Sequence, residues 1–207
     1  SIRQAILELR SLLAGIREPL TKEKQRGLIG EMRLLGMAIT TLGDLALETW
    51  TGPRKGYESL HDFTGSKIHI EAKSTKLNPP VVTINEIAQL DWRGNIPLVL
   101  AVPHITEHEE GLTLNDHMDE VSEMLSSNSR RIRLQTLASF VGYNSEHRYS
   151  TKHRVESVRW FQIDASSPII QPEILSDFPS SVLSFKYHLQ ANDLQEIPEI
   201  EFRDLLE

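Results

Sequence analysis

Apolar residues recur at intervals of three and four along the first 42 positions, in two separate sets. Ile2, Ile6, Leu9, Leu12 and Leu13 predict an amphipathic helix over residues 2–16, ended by Gly15 and Pro19. Leu28, Ile29, Met32, Leu35, Met37 and Ile39 predict a second helix, opening at Thr21 and Lys22 and running to about Leu42. The period then shortens. "ALETWTGP" predicts a short strand closed by Gly52-Pro53, and "YESLHDF" predicts a second. A tight turn at Thr64-Gly65-Ser66 leads into a third strand, "KIHIEAKST", and Asn78-Pro79-Pro80 breaks the chain again. "TINEIAQLDW" has Thr83 with Glu86 three residues later, the capping-box spacing, and predicts a helix with Ile84, Ile87 and Leu90 on one face. "IPLVLAVPHI" is a continuous apolar run bounded by prolines, which suits a strand buried on both faces. Residues 113–126 and 129–141 predict two more helices, the second ended by Gly142, and "RVESVRWFQID" and "VLSFKYHLQ" two more strands.

The order helix, three-strand meander, helix, buried strand predicts an α/β fold, a central mixed sheet with helices on both faces. Residues 21–110 form this core, and 111–207 extend the same domain. Residues 1–20, starting at Ser1 rather than Met, read as the end of a truncated upstream region.

Composition narrows the classes. The chain has 207 residues, 39% of them hydrophobic and 25% charged, enough for one cored domain. No apolar run approaches the roughly 18 residues that span a bilayer, so no membrane partner is expected. Zero cysteines excludes disulfides and thiol chemistry and fits a cytoplasmic location. The net charge of −7 argues against a protein that coats nucleic acid nonspecifically. Residues 168–207 carry eight acidic residues against Lys186 and Arg203, however, so the remainder is nearly neutral and has room for a basic groove.

The candidate chemistry sits on the predicted hairpin. Asp62 ends the second strand and Glu71 lies in the third, across the Thr64-Gly65-Ser66 turn. Adjacent strands are about 4.8 Å apart, so both carboxylates can approach one hard cation. Side chains alternate at period two, which puts Glu71 and Lys73 on one face and Ile68, Ile70 and Ala72 on the other. By chance a chain of this composition holds about one acidic-x-Lys triplet, so the triplet alone decides nothing. Glu31 adds weight, because a carboxylate within an apolar helix needs a partner or a cation. Two carboxylates, a lysine and a strand carbonyl suit metal-assisted phosphodiester cleavage.

The sequence here resembles the PD-(D/E)XK nuclease superfamily of restriction-like enzymes. "GLIGEMRLL", "W-TGP", "HDF", "IEAKST" and "QL", in that order over about residues 26–105, are similar in particular to an uncharacterised bacterial branch encoded beside restriction–modification genes. The resemblance implies that Asp62 and Glu71 are metal ligands, that Ala72 offers its carbonyl, and that Glu31 joins the metal shell through water. It implies that Lys73 orients the attacking water or offsets phosphorane charge, and that Gln89 lines the site. His61 stands where the superfamily's name has proline. The implied activity is a Mg2+-dependent deoxyribonuclease, with Mn2+ as substitute, leaving a 5′-phosphate and serving restriction or defence. DNA is the implied partner, with other restriction–modification proteins and a homodimer as further possibilities. The alternatives are a nuclease-like module without turnover, acting as a DNA-binding or assembly subunit, and an interaction domain whose charged face contacts only protein.

Other groups signal less. His104 and His108 have the spacing of a helical zinc pair but follow Pro103 in a predicted loop. Arg130, Arg131 and Arg133, with Lys152, His153 and Arg154, are candidate phosphate contacts. Trp50, Trp92 and Trp160 read as core or core-edge residues. No Gly-rich phosphate loop, Ser-His-Asp order or dinucleotide fingerprint is present.

Overall fold

A computed structural model describes residues 18–52, 60–171, 173–174 and 185–200. The expected helix over residues 2–16, the first three residues of "YESLHDF" and residues 201–207 lie outside them. The first described helix, α1 (Lys22–Leu42), starts where Thr21 Oγ accepts from the Lys24 N–H and ends at Gly43, whose φ of 59° suits glycine. Its apolar stripe, from Leu28 through Ile39, is buried.

A five-stranded sheet forms the centre. Its strands are β1 (Phe63–Thr64), β2 (His69–Ala72), β4 (Leu98–Leu112), β5 (His153–Ile163) and β7 (Glu196–Ile197), in the order β1-β2-β4-β5-β7. The β2–β4 pair is parallel and the others are antiparallel, so the sheet is mixed. Residues of β4 alternate between two cores. Val99, Ala101 and Ile105 pack with α1, while Leu98, Leu100 and Val102 pack on the opposite face with Phe161 and Ile163. Each such aliphatic contributes about 1.5–3 kcal/mol through burial. The α1 face is completed by α3 (Leu114–Glu123), through Leu114, Met118 and Val121, and by α4 (Asn128–Phe140), through Leu134, Leu137 and Ala138.

Two elements differ from expectation. The "ALET" stretch is a short helix, α2 (Ala46–Thr49), with Ala46 and Leu47 fully buried; only Trp50 stays extended, in a single antiparallel bridge to Phe63. The predicted meander survives there as one residue. "VVTI" is a strand, β3 (Val81–Ile84), paired with β6 (Tyr187–Gln190), and not the opening of a helix. Its branched side chains suit a pleated surface. The capping box falls three residues later, with Glu86 as cap and Gln89 as its partner, and it opens a single 3-10 turn, Ile87–Leu90. The second face of the sheet is thus covered by that turn and the β3–β6 pair.

Candidate functional site

β2 keeps the expected alternation. Ile68, Ile70 and Ala72 pack toward the α1 core, and Glu71 and Lys73 meet each other, with Lys73 Nζ 2.7 Å from Glu71 Oε1. The segment is fixed along its length by β4. Glu71 and Ala72 stand in register with Leu100 and Ala101, and the Lys73 and Thr75 N–H groups donate to the Ala101 and Pro103 carbonyls at 2.9 and 3.0 Å.

Asp62 lies just ahead of β1, in a bend rather than at a strand end. Its backbone is clasped by the loop after α2, since the Thr51 and Gly52 N–H groups both donate to the Asp62 carbonyl, at 2.8 and 3.0 Å. Its side chain crosses to β2, where Oδ2 accepts the Ala72 N–H at 2.8 Å. Gly52 makes room for it, because a Cβ there would fall 2.5 Å from Asp62 Oδ1. Glu31 reaches the same place from α1, and its Oε2 accepts the Trp50 indole N–H at 2.8 Å. Trp50 is fully buried, so its N–H needs an acceptor, and Glu31 supplies it. No sequence pattern pointed to that pair.

These groups feel one another. Burial pushes the Glu31 carboxyl up to about 8, and the Asp62 charge adds to the rise. Burial also raises Asp62, against the pull of Lys73 and of the Ala72 N–H. Glu71, only 1% exposed, is raised well above its ordinary value by burial and then by Asp62. Burial works to lower Lys73, but Glu71 and Asp62 outweigh it and hold the ammonium above its ordinary range. His61 lies behind Glu71, its Nδ1 3.9 Å from Oε2. Burial, then the neighbouring His69, pushes its imidazole down to about 4, so at neutral pH this contact is not an ion pair.

Glu31, Asp62, Ala72 and Lys73 line an open cleft of about 780 Å³ between the start of α1 and the segment joining β2 to β3. Gln89 does not line it, because its side-chain oxygen is turned onto the Asn85 and Glu86 N–H groups at 3.0 and 3.4 Å. His104 and His108 both lie in β4, where a spacing of four residues spreads side chains over about 13 Å and cannot form a helical zinc pair. The arginine cluster is engaged elsewhere. Arg130 and Arg133 pair with Glu48, Arg131 donates to the Leu125 carbonyl, and Arg154 pairs with Glu156.

Three carboxylates, Glu71 buried and Glu31 and Asp62 half-buried, carry excess negative charge against one ammonium when all are ionised, and partial desolvation makes that costly. Protons or a hard divalent cation would relieve it, and the oxygen donors match such a cation in kind. Among the described residues, no three His, Asp or Glu side chains are arranged to hold an ion by themselves. An ion here would therefore rely on two carboxylates, the Ala72 carbonyl and water.

An α/β fold whose mixed sheet carries an Asp, a Glu-x-Lys and a helix carboxylate around one cleft defines a restriction-endonuclease-like protein. Residues 2–192 match the sequence family described as "Putative PD-(D/E)XK family member, (DUF4420)", and the chain belongs to that family. No curated protein and no solved structure matches the chain significantly.

Proposed function

We propose that this protein is a magnesium-dependent DNA endonuclease, acting in the cytoplasm in restriction or defence against foreign DNA. The observation that carries this reading is the convergence of Glu31, Asp62 and Lys73 at one cleft, with the buried Glu71 in contact with Lys73 and charge-coupled to Asp62. Asp62, Glu71 and the Ala72 carbonyl would hold the ion, Glu31 would join through water, and Mn2+ would substitute for Mg2+ on the same oxygen donors. When bound, the ion would supply a Lewis acid and a water that ionises more readily than bulk water. Lys73 has three donors and no acceptor, so it cannot be a ligand. It holds the attacking water and offsets charge growing on the phosphate oxygens, and hydrolysis leaves a 5′-phosphate. Trp50 fixes the Glu31 carboxyl, and the Ala72 N–H fixes that of Asp62.

One observation favours a second reading, a DNA-binding or assembly module that kept the fold and lost turnover. Glu71 is turned onto Lys73, and no preformed three-residue cage exists among the described residues. Plasmid cleavage separates the two. The endonuclease nicks supercoiled DNA in Mg2+ or Mn2+, and Asp62→Asn and Glu71→Gln abolish nicking without loss of fold. A wild-type protein that binds DNA and a divalent cation but cuts neither modified nor unmodified DNA is the module instead.

A further inference from the structure

Five cationic side chains line the cleft, Lys22, Lys24, Arg26, Lys73 and Lys76, against four carboxylates, Glu23, Glu31, Asp62 and Glu107. The protein as a whole has 22 basic against 29 acidic residues, so the cleft is richer in cations than the rest, even with Glu71, the partner of Lys73, counted as a fifth carboxylate. Two of the five cations are committed: Lys22 to Glu107 at 2.7 Å, and Lys73 to Glu71. Lys24, Arg26 and Lys76 form no ion pair among the described residues. The arginines at 130 and 133, by contrast, are tied to Glu48.

Position adds to charge. Lys24 and Arg26 stand on the first turns of α1, which form one wall, and Lys76 stands just past β2 on the other. Glu31, Asp62 and Lys73 line the same cleft. A polyanion touching both lips therefore crosses the site. We propose that Lys24, Arg26 and Lys76 form a phosphate-contact lip, which seats the backbone of duplex DNA across the cleft. This inference rests on the DNA reading above and adds to it the residues that make the contact. Outside the cleft, Arg93, Arg130, Arg133, Arg154 and Arg159 are each held by a carboxylate, which leaves them less open to a phosphate.

The test is binding of a fluorescent 20-base-pair duplex in chelator, so that nothing is cut, titrated from 50 to 300 mM salt. Removing one cation that touches a phosphate should flatten the slope of log K against log salt by about 0.9. The triple variant Lys24→Gln, Arg26→Gln, Lys76→Gln is expected to weaken binding at low salt at least tenfold and to flatten the slope by about two to three. Arg130→Gln with Arg133→Gln is expected to change neither. Arg26 is half-buried, so the exposed double variant Lys24→Gln, Lys76→Gln serves as a check independent of folding, with a slope change of about two. If wild type binds and both lip variants bind with unchanged slope, the lip is wrong while the DNA reading survives. If wild type binds no duplex even at 50 mM salt, both are wrong.

Discussion

Lys73 is the residue whose loss separates chemistry from structure. Lys73→Met keeps the stem that packs along β2 and removes the donors. The side chain left behind is Glu71, almost wholly buried, and an unpaired buried charge is costly. Its proton affinity is already raised by burial and then by Asp62, and losing Lys73 raises it further, so the variant should show a stability deficit against wild type that grows as pH rises. Plasmid nicking should fall by about 10² to 10³, the usual cost of removing one donor to developing charge. A variant that nicks at the wild-type rate removes Lys73 from the chemistry. The candidate cluster of Glu31, Asp62, Glu71 and Lys73 was legible because each is an acidic or basic residue in or beside a recognisable element, although Asp62 falls in a bend and not at a strand end. Gln89 was not, because a carboxamide three residues past Glu86 serves equally as a local cap, and the cap took it. Trp50 and the lip were invisible for another reason: their partners lie far off in sequence, and only the fold brings them together.

At the scale of elements, α1 must come close to the end of β2 for Glu31 to join the cluster. Gly30 permits it. A Cβ there would stand 2.0 Å from Ser74 Oγ and 3.2 Å from Pro103 Cγ. Gly30→Ala should therefore force α1 away from β2 and cost about 1–3 kcal/mol, the usual scale of overpacking, read as a lower denaturation midpoint. Adding Ser74→Ala removes the worst clash and should restore part of the loss. No recovery in the double variant would mean that α1 is not held this close to β2. Long elements were readable from the sequence because their periodicity accumulates over many residues: α1, α3, α4 and β5 appear where the pattern put them, while β4 begins there but runs seven residues past the apolar run, through the predicted loop at His104 and His108. Short ones were not. "ALET" sits beside Trp50 in a row of residues that either state accepts, and tertiary burial of Ala46 and Leu47 decided for helix. Around Thr83 the capping spacing competed with four branched residues, and pairing with β6, more than a hundred residues away, decided for strand.

For the molecule as a whole, stability should report on the cluster through pH. Glu31, Asp62 and Glu71 all bind protons more tightly when folded than their ordinary values of 4.5 and 3.8. Between those values and about 8 the folded chain holds more protons than the unfolded one, so stability falls as pH rises through that window. Buried histidines act in the opposite sense. His61, His69, His117 and His153 are all lowered from 6.5 by burial, so the unfolded chain binds the extra protons and stability rises with pH, but only up to about that value. A free histidine is largely neutral only about one unit above its ordinary value, so the clean window is about pH 7.5 to 8.5, where the histidines no longer contribute and Glu31, raised to about 8, still titrates. In chelator the melting temperature should drop across it. Mg2+ or Mn2+ binds the ionised carboxylates, so its stabilising effect should be larger at about pH 8.5 than at about pH 7.5 and should cancel the drop. Asp62→Asn combined with Glu71→Gln should flatten the profile in chelator and remove the response to the ion. A melting temperature that stays level or rises from about pH 7.5 to 8.5 in chelator would show that the three carboxyls do not share one desolvated site.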